Sequence, residues 1–75
     1  MPSWEKDVFS SMVSTVAWEG EDATSGTLIV KWAKGRKTSE YAGVPEDVAI
    51  RLSKAPSVGQ MINQEIKGQY AHRYI

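Results

Sequence analysis

The chain has 75 residues, a formal net charge of zero and no cysteine. This length allows one domain, which buries only about 60–65% of the surface of its unfolded chain, and the lack of cysteine excludes a disulfide or thiolate-bound metal as a staple. No apolar run reaches the ~18 residues of a membrane span, and the N-terminus lacks the features of a signal peptide. We therefore expect a cytoplasmic protein with no membrane, metal or cofactor partner, stabilised by aromatic packing or self-association.

The charges are unevenly distributed along the chain. Acidic residues dominate residues 1–30, and basic residues dominate residues 31–75. Zero overall charge argues against strong non-specific binding of nucleic acid, which needs many phosphate contacts, but it allows a local anion site. One basic stretch, uninterrupted by any acid, can bind phosphates or form a solvated strand edge that discourages pairing between sheets. It consists of Lys31, Lys34, Arg36 and Lys37.

Residues 1–9 form an N-terminal extension with two open alternatives. Ser3 can cap one helical turn that carries Trp4 and Val8 on one side. A frayed terminus explains the same residues equally well.

The next part of the chain predicts three strands. Residues 12–18 are rich in Val, Thr and Trp and favour a strand that can contain a bulge. The polar residues 19–26 indicate a hairpin loop. Residues 27–33 alternate at period two, a tight turn follows, and residues 37–41 return as a more polar strand. The economical arrangement is a three-stranded antiparallel meander.

Two tryptophans on adjacent predicted strands have two interpretations. Trp18 and Trp32, of which Trp32 adjoins the basic stretch, can form a platform on which nucleobases stack. The alternative is that they belong to the core, since Trp32 continues the stripe formed by Leu28 and Val30. The stripe favours the core interpretation.

The C-terminal half has helical periodicity. Pro45 suits the first position of a helix that Pro56 ends. Ser57, with Gln60 three residues later, predicts a second helix with a capping box, and Gly68 is a natural terminator. The fold class is therefore α+β: a three-stranded antiparallel β-meander packed by two short C-terminal helices, with the tail 69–75 returning to the sheet. The predicted core consists of Leu28, Val30, Leu52, Ile62 and Ile66.

Several segments resemble the KTSC domain family, which is named after the C-terminus of some lysyl-tRNA synthetases and also occurs alone in bacterial and bacteriophage proteins. The resemblance runs from Ser10 to Ile75 and implies a single domain over residues 10–75. It is carried by Ser10-Ser11, Tyr41-Ala42-Gly43-Val44-Pro45, Ala55-Pro56-Ser57-Val58-Gly59, Asn63, Ile66, Gly68, Tyr70 and Arg73.

The chain departs from the family pattern at two places. The family often has Tyr-x-Tyr where this chain has Ser39-Glu40-Tyr41, and two aromatic residues where it has Met61-Ile62. If those aromatic residues bind the family's ligand, this chain has lost part of the site or binds something else.

The resemblance makes Asn63, Tyr70 and Arg73 candidates for one of two roles. They can form a polar network that locks the tail, or, together with Tyr41, a pocket for a planar, phosphate-bearing ligand. His72 is the only histidine, and it accompanies no activated nucleophile, metal cluster or phosphate loop. We therefore expect no enzymatic activity.

The sequence thus predicts a small non-catalytic binding module for RNA or another phosphate-bearing, nucleotide-like ligand. A first alternative is a protein–protein assembly module, as a phage virion component or host-takeover factor. Ile50, which lies off the buried helical stripe, would form its interface together with Trp4 and Phe9. A second alternative is a phage-encoded oligomer that sequesters a nucleotide defence signal in the host cytoplasm. We expect a homo-oligomer in each case.

Overall fold

The computed structural model describes residues 3–8, 12–34 and 37–75. Within them, five antiparallel strands form one sheet in the order β1-β2-β3-β4-β5. One α-helix follows the fourth strand, and a second runs directly into a π-helical segment. The bounds are β1 Ser3–Asp7, β2 Val13–Asp22, β3 Ser25–Trp32, β4 Thr38–Val44, α1 Glu46–Ser53, α2 Val58–Met61, the π-helical segment Ile62–Ile66 and β5 Ala71–Tyr74.

The α+β class is confirmed, but the prediction of three strands is wrong because each end of the chain adds one strand. Residues Ser3–Asp7 form a strand paired with β2, and not the helical turn that Ser3 could have capped. The tail returns to the sheet as predicted and becomes a fifth strand paired with β4. The terminal strands pair with the backbone groups at the edges of β2 and β4, so that β1 and β5 become the edges of the sheet.

The hairpin between β2 and β3 is tighter than the sequence predicts. Both strands extend into the expected loop, and only Ala23 and Thr24 separate Asp22 from Ser25. The carboxylate of Asp22 accepts hydrogen bonds from the backbone N–H of Thr24, at 2.9 Å, and from its hydroxyl group. These bonds hold the pKa of Asp22 below its usual value. The bulge allowed for in the first predicted strand is present in β2, as a register shift between Val13 and Thr15.

The helical region is largely as predicted. Pro45 directly precedes α1, and Gly68, with a φ of 84°, follows the end of the π-helical segment in a conformation that glycine adopts easily. The capping box is wrong, because Ser57 precedes α2 but makes no side-chain capping bond.

The core lies between the helices and one face of the sheet, which we call the inner face. All five predicted core residues are buried there. Trp18 is also buried, and its indole Nε1 donates a hydrogen bond to the carbonyl oxygen of Val44 at 2.9 Å. The core interpretation of Trp18 is therefore confirmed. The core residues are Val13, Val16, Trp18, Leu28, Val30, Tyr41, Val44, Ala49, Leu52, Val58, Ile62 and Ile66.

Strand register divides the remaining residues between the inner face and the opposite, outer face. One row of directly paired residues crosses all five strands on the inner face: Trp4, Trp18, Leu28, Tyr41 and His72. The neighbouring outer-face row consists of Glu5, Ala17, Ile29, Glu40 and Arg73. Since adjacent residues on a strand point to opposite faces, this register decides which candidate side chains can meet.

Candidate functional site

An open groove lies where β3, Lys34, Lys37 and β5 come together. Its volume is about 500 Å³. Among the described residues, two aromatic rings, two lysines and one methionine line it, so apolar and cationic side chains share one opening. We call it the basic groove, and its lining residues are Met12, Trp32, Lys34, Lys37 and Tyr74.

Local hydrogen bonds fix the position of Trp32, which lines the basic groove. Its indole Nε1 donates to the hydroxyl oxygen of Ser39 at 2.7 Å, and its backbone N–H donates to the carbonyl oxygen of Lys37 at 3.0 Å. Trp32 is half-buried and packs against the edge of the core. It therefore differs from Trp18, because one part of its ring supports the fold while the groove remains accessible beside it.

Three rings form a continuous strip on the inner face across β4 and β5. The ring centroids of Tyr41 and His72 are 4.8 Å apart, and those of His72 and Tyr74 are 4.7 Å apart with an edge-to-face angle of 84°. Lys37 Nζ lies 5.4 Å from the centroid of Tyr74, within the range of a cation–π contact. We call Tyr41, His72 and Tyr74 the aromatic strip. Tyr74 belongs to both the strip and the basic groove.

The buried end of the aromatic strip stays uncharged at neutral pH. Burial raises the pKa of Tyr41 above its ordinary value of 10.0, and the nearby Tyr74 acts in the same direction. A hydrogen bond with Ser39 partly opposes these effects. The phenol is therefore protonated under physiological conditions and can act as an apolar ring with a polar tip.

Two of the predicted cationic ligand residues lie on the outer face. Arg73 Nε donates to Glu40 Oε1 at 2.7 Å, and Lys31 Nζ lies 3.1 Å from Glu5 Oε2. Arg73 is paired in register with Glu40, whereas Tyr41 is paired with His72, so Arg73 and Tyr41 face opposite sides of the sheet. The structure therefore does not bring together the predicted pocket of Arg73 and Tyr41.

The other two members of that predicted pocket are not among the residues that line the basic groove. Tyr70 lines a polar depression of about 420 Å³ with Gln64, Glu65 and Gln69. Asn63 is exposed on the π-helical segment. Of the predicted basic stretch, Lys34 and Lys37 meet at the basic groove, and Arg36 lies outside the described residues.

The predicted interface residues Trp4 and Ile50 do come together. They line a groove of about 420 Å³ between β1 and α1, with Glu5, Lys6, Glu46, Ser53 and Lys54. Trp4 Nε1 donates a hydrogen bond to Glu46 Oε2 at 3.1 Å, which fixes the indole against the first turn of α1. We call this opening the β1–α1 groove. Phe9, the third predicted interface residue, lies outside the described part of the chain.

Sequence reasoning missed His72 and Tyr74 as partners of one ring cluster. A signal was present, because Tyr70, His72 and Tyr74 alternate with other residues at period two, as in a strand. Treating the tail as an irregular segment hid this alternation. Met12 was also missed, and only the tertiary structure places it against Gly59, where a Cβ atom would come within 2.9 Å of its sulfur.

Residues 3–8, 12–34 and 37–75 lack the features of two other classes of site. They contain no group of three or more His, Asp or Glu side chains that could hold a metal ion. They also contain no helix long and apolar enough to cross a membrane.

Fold and sequence together define the class: a small α+β domain in which helices cover one face of an antiparallel sheet. The chain belongs to the KTSC domain family, whose model matches residues 9–70. It is also similar to a solved structure, the KTSC domain protein YPO2434 from Yersinia pestis. The two share 26% sequence identity with a TM-score of 0.80, over 99% of each chain. Comparison with curated proteins gave no significant match.

Proposed function

We propose that this chain is a non-catalytic module that binds a phosphate-bearing ligand with a planar ring, an RNA or a nucleotide, in the basic groove. The observation that carries the proposal is the meeting of Trp32, Tyr74, Lys34 and Lys37 around one opening of about 500 Å³. That volume lies within the range of small-molecule sites. Aromatic faces stack on bases and ammonium groups pair with phosphates, so the two kinds of side chain match the two parts of a nucleotide.

The distribution of charge supports this ligand chemistry. Lys31 and Arg73 are paired with carboxylates on the outer face. Within the described part of the chain, Lys34 and Lys37 form no such ion pair. Both lysines are exposed beside the aromatic rings. A phosphate there would meet the positive charge of two lysines that are not paired with a side-chain carboxylate.

The test is fluorescence anisotropy with a labelled ribonucleotide and a short RNA at two salt concentrations. The double variant Lys34→Glu/Lys37→Glu should abolish binding or weaken it more than tenfold. Lys31→Glu is the matched control for the single variants Lys34→Glu and Lys37→Glu, because it makes the same charge change on the outer face, and it should have a much smaller effect than either. If both lysines contact phosphates of an RNA, replacing both with Gln should reduce the salt slope by about 1.4. Wild-type protein that binds neither ligand at low salt would refute the proposal.

A second candidate function, protein–protein assembly, is favoured by the β1–α1 groove. Trp4 and Ile50, on separate elements, meet there, and Ile50 is 38% exposed. Ile50→Glu should reduce the oligomer mass measured by native mass spectrometry, whereas Gln60→Glu, an exposed position on α2, should not. A monomer in both wild type and variants would exclude self-assembly through this groove. Sequestration of a nucleotide signal would require both results, nucleotide binding and an oligomer.

A further inference from the structure

We propose that the aromatic strip extends the basic groove into a surface for single-stranded nucleic acid, so that the preferred ligand is an oligonucleotide of several bases rather than one nucleotide. This inference rests on the proposed function, because the basic groove supplies the phosphate contacts. It goes further by naming the class of ligand and the exposed residue that extends the site, His72, whose ring packs on the buried ring of Tyr41.

The aromatic strip adjoins the basic groove without a break. Tyr74 lines the groove and also contacts His72, whose ring in turn contacts Tyr41. His72 and Tyr74 are two residues apart on an extended strand, which separates their backbone positions by about 6.6 Å. A base held against Tyr74 therefore has a second ring beside it for its neighbour.

The rings at the outer end of the aromatic strip are exposed to solvent. All four residues of β5 are exposed, and Tyr74 retains 63% of its accessible surface. On the same face, Trp18 and Leu28 are buried below the helices. Aromatic rings at a bare sheet edge add little to the core, whereas a sheet face with exposed rings is the arrangement on which single-stranded bases stack.

The backbone of β5, the edge strand, has hydrogen-bonding groups that face away from the sheet. The N–H of Ile75 donates to the carbonyl oxygen of Thr38. Because hydrogen-bonded pairs alternate in an antiparallel ladder, Arg73 is the next residue of β5 whose backbone groups point toward β4. The N–H and C=O groups of His72 and Tyr74 then point away from the sheet, at its open edge. The two residues that carry the rings thus also offer backbone donors and acceptors to the edges of stacked bases.

Positive charge lies at the end of the aromatic strip that adjoins the basic groove. Lys37 lies over Tyr74, and Lys34 lies across the same groove. The side-chain carboxylate that is paired in register with β5, that of Glu40, is on the outer face and accepts a hydrogen bond from Arg73. A phosphodiester backbone that follows the lysines can therefore place its bases on the rings without approaching that carboxylate.

The experiment is an anisotropy series with labelled mono-, di- and tetranucleotides of mixed sequence, as RNA and as DNA. Wild type should bind the tetranucleotide at least tenfold more tightly than the mononucleotide. His72→Ala should weaken tetranucleotide binding by about 5- to 150-fold, the range found for loss of one stacked base. It should leave mononucleotide binding within about twofold, because His72 does not line the groove. Arg73→Ala is the matched control, since it truncates the adjacent residue of β5 on the outer face.

The possible outcomes separate this inference from the proposed function. Equal affinity for all lengths, lost in the Lys34→Glu/Lys37→Glu variant, would overturn the oligonucleotide inference and leave a mononucleotide site. His72→Ala and Arg73→Ala with equal effects on the tetranucleotide would also overturn it. No binding of any length would refute both proposals. A circular dichroism melt of each variant verifies that the exposed substitutions leave the fold intact.

Discussion

The inner face of the sheet has two parts that differ in what covers them. Over β2 and β3, which α1 packs against, the face carries Val16, Trp18, Leu28 and Val30, all at most 1% exposed. At β5 the same face carries His72 and Tyr74, which are exposed. The covered part uses aliphatic residues and one indole with a satisfied N–H, whereas the uncovered part uses rings with polar atoms. The side chains beyond the helices therefore suit a wet binding surface, and those beneath them suit a dry core.

Truncation in the covered part should have the largest effect on stability. Leu52 is fully buried against the sheet, and Leu52→Ala should lower the free energy of unfolding by about 2–5 kcal/mol. A domain of this size has a total stability of only about 4–11 kcal/mol, so the variant should be partly unfolded at 37 °C. Chemical denaturation is the measurement. Ile50→Ala on the same helix is the control, and equal losses would show that the covered face is wrongly assigned.

Adding a side-chain atom beside Trp18 should have the next largest effect on stability. A Cβ atom at Gly26 would collide with the indole ring and lie 2.5 Å from the carbonyl oxygen of Glu19. Gly26→Ala should therefore lower stability by about 1–3 kcal/mol through overpacking. Ser25→Ala, at the exposed neighbouring position, serves as the control in thermal denaturation. A Gly26→Ala variant as stable as wild type would mean that Trp18 can move, and the covered part would be less tightly packed than described.

Tyr41, at the boundary between the two parts, should make stability depend on pH in the alkaline range. Its pKa is raised in the folded protein by burial, so the folded state holds the proton more tightly than the unfolded state. That contribution is fully present below the unfolded pKa of about 10 and is lost as the pH rises through the folded pKa. Tyr41→Phe should flatten the alkaline fall in melting temperature. An unchanged slope would show that other groups cause the fall.

Truncation in the uncovered part should have the smallest effect on stability. Tyr74→Ala removes a ring that is 63% exposed, and surface substitutions usually change stability by no more than about 0.5 kcal/mol. The variant should melt near the wild-type temperature while ligand binding falls. A large loss of stability would mean that Tyr74 serves mainly to hold β5 on the sheet, and the contrast between the two parts would fail.

Prediction from the sequence succeeded where a periodic pattern placed apolar residues on the buried face of a strand or helix. Leu28 and Val30 alternate, Leu52 lies on a helical stripe, and all three are buried as predicted. The sequence predicted no strand at either end of the chain, where Ser3–Asp7 and Ala71–Tyr74 are short and mostly exposed. Such segments form strands because an existing sheet edge supplies hydrogen-bond partners, and local propensity contains no information about that edge.

The candidate site shows the same division. The sequence indicated a basic stretch, and the alternation in residues 27–33 placed Lys31 opposite the stripe of Leu28 and Val30. Only the tertiary structure showed that Lys34 and Lys37 meet Tyr74. Likewise, Arg73 and Tyr70 match the family pattern, yet the alternation of β5 turns Arg73 away from Tyr41 toward Glu40.

The sequence by itself determined the α+β class, the family, the positions of the helices and most of the core, because periodicity and turn residues act within short stretches of chain. Tertiary structure alone decided the number of strands, the pairing of Arg73 with Glu40 and the meeting of His72 with Tyr41. These features depend on pairing between segments that are distant in sequence. A shift of one residue in that pairing would move every side chain of a strand to the opposite face.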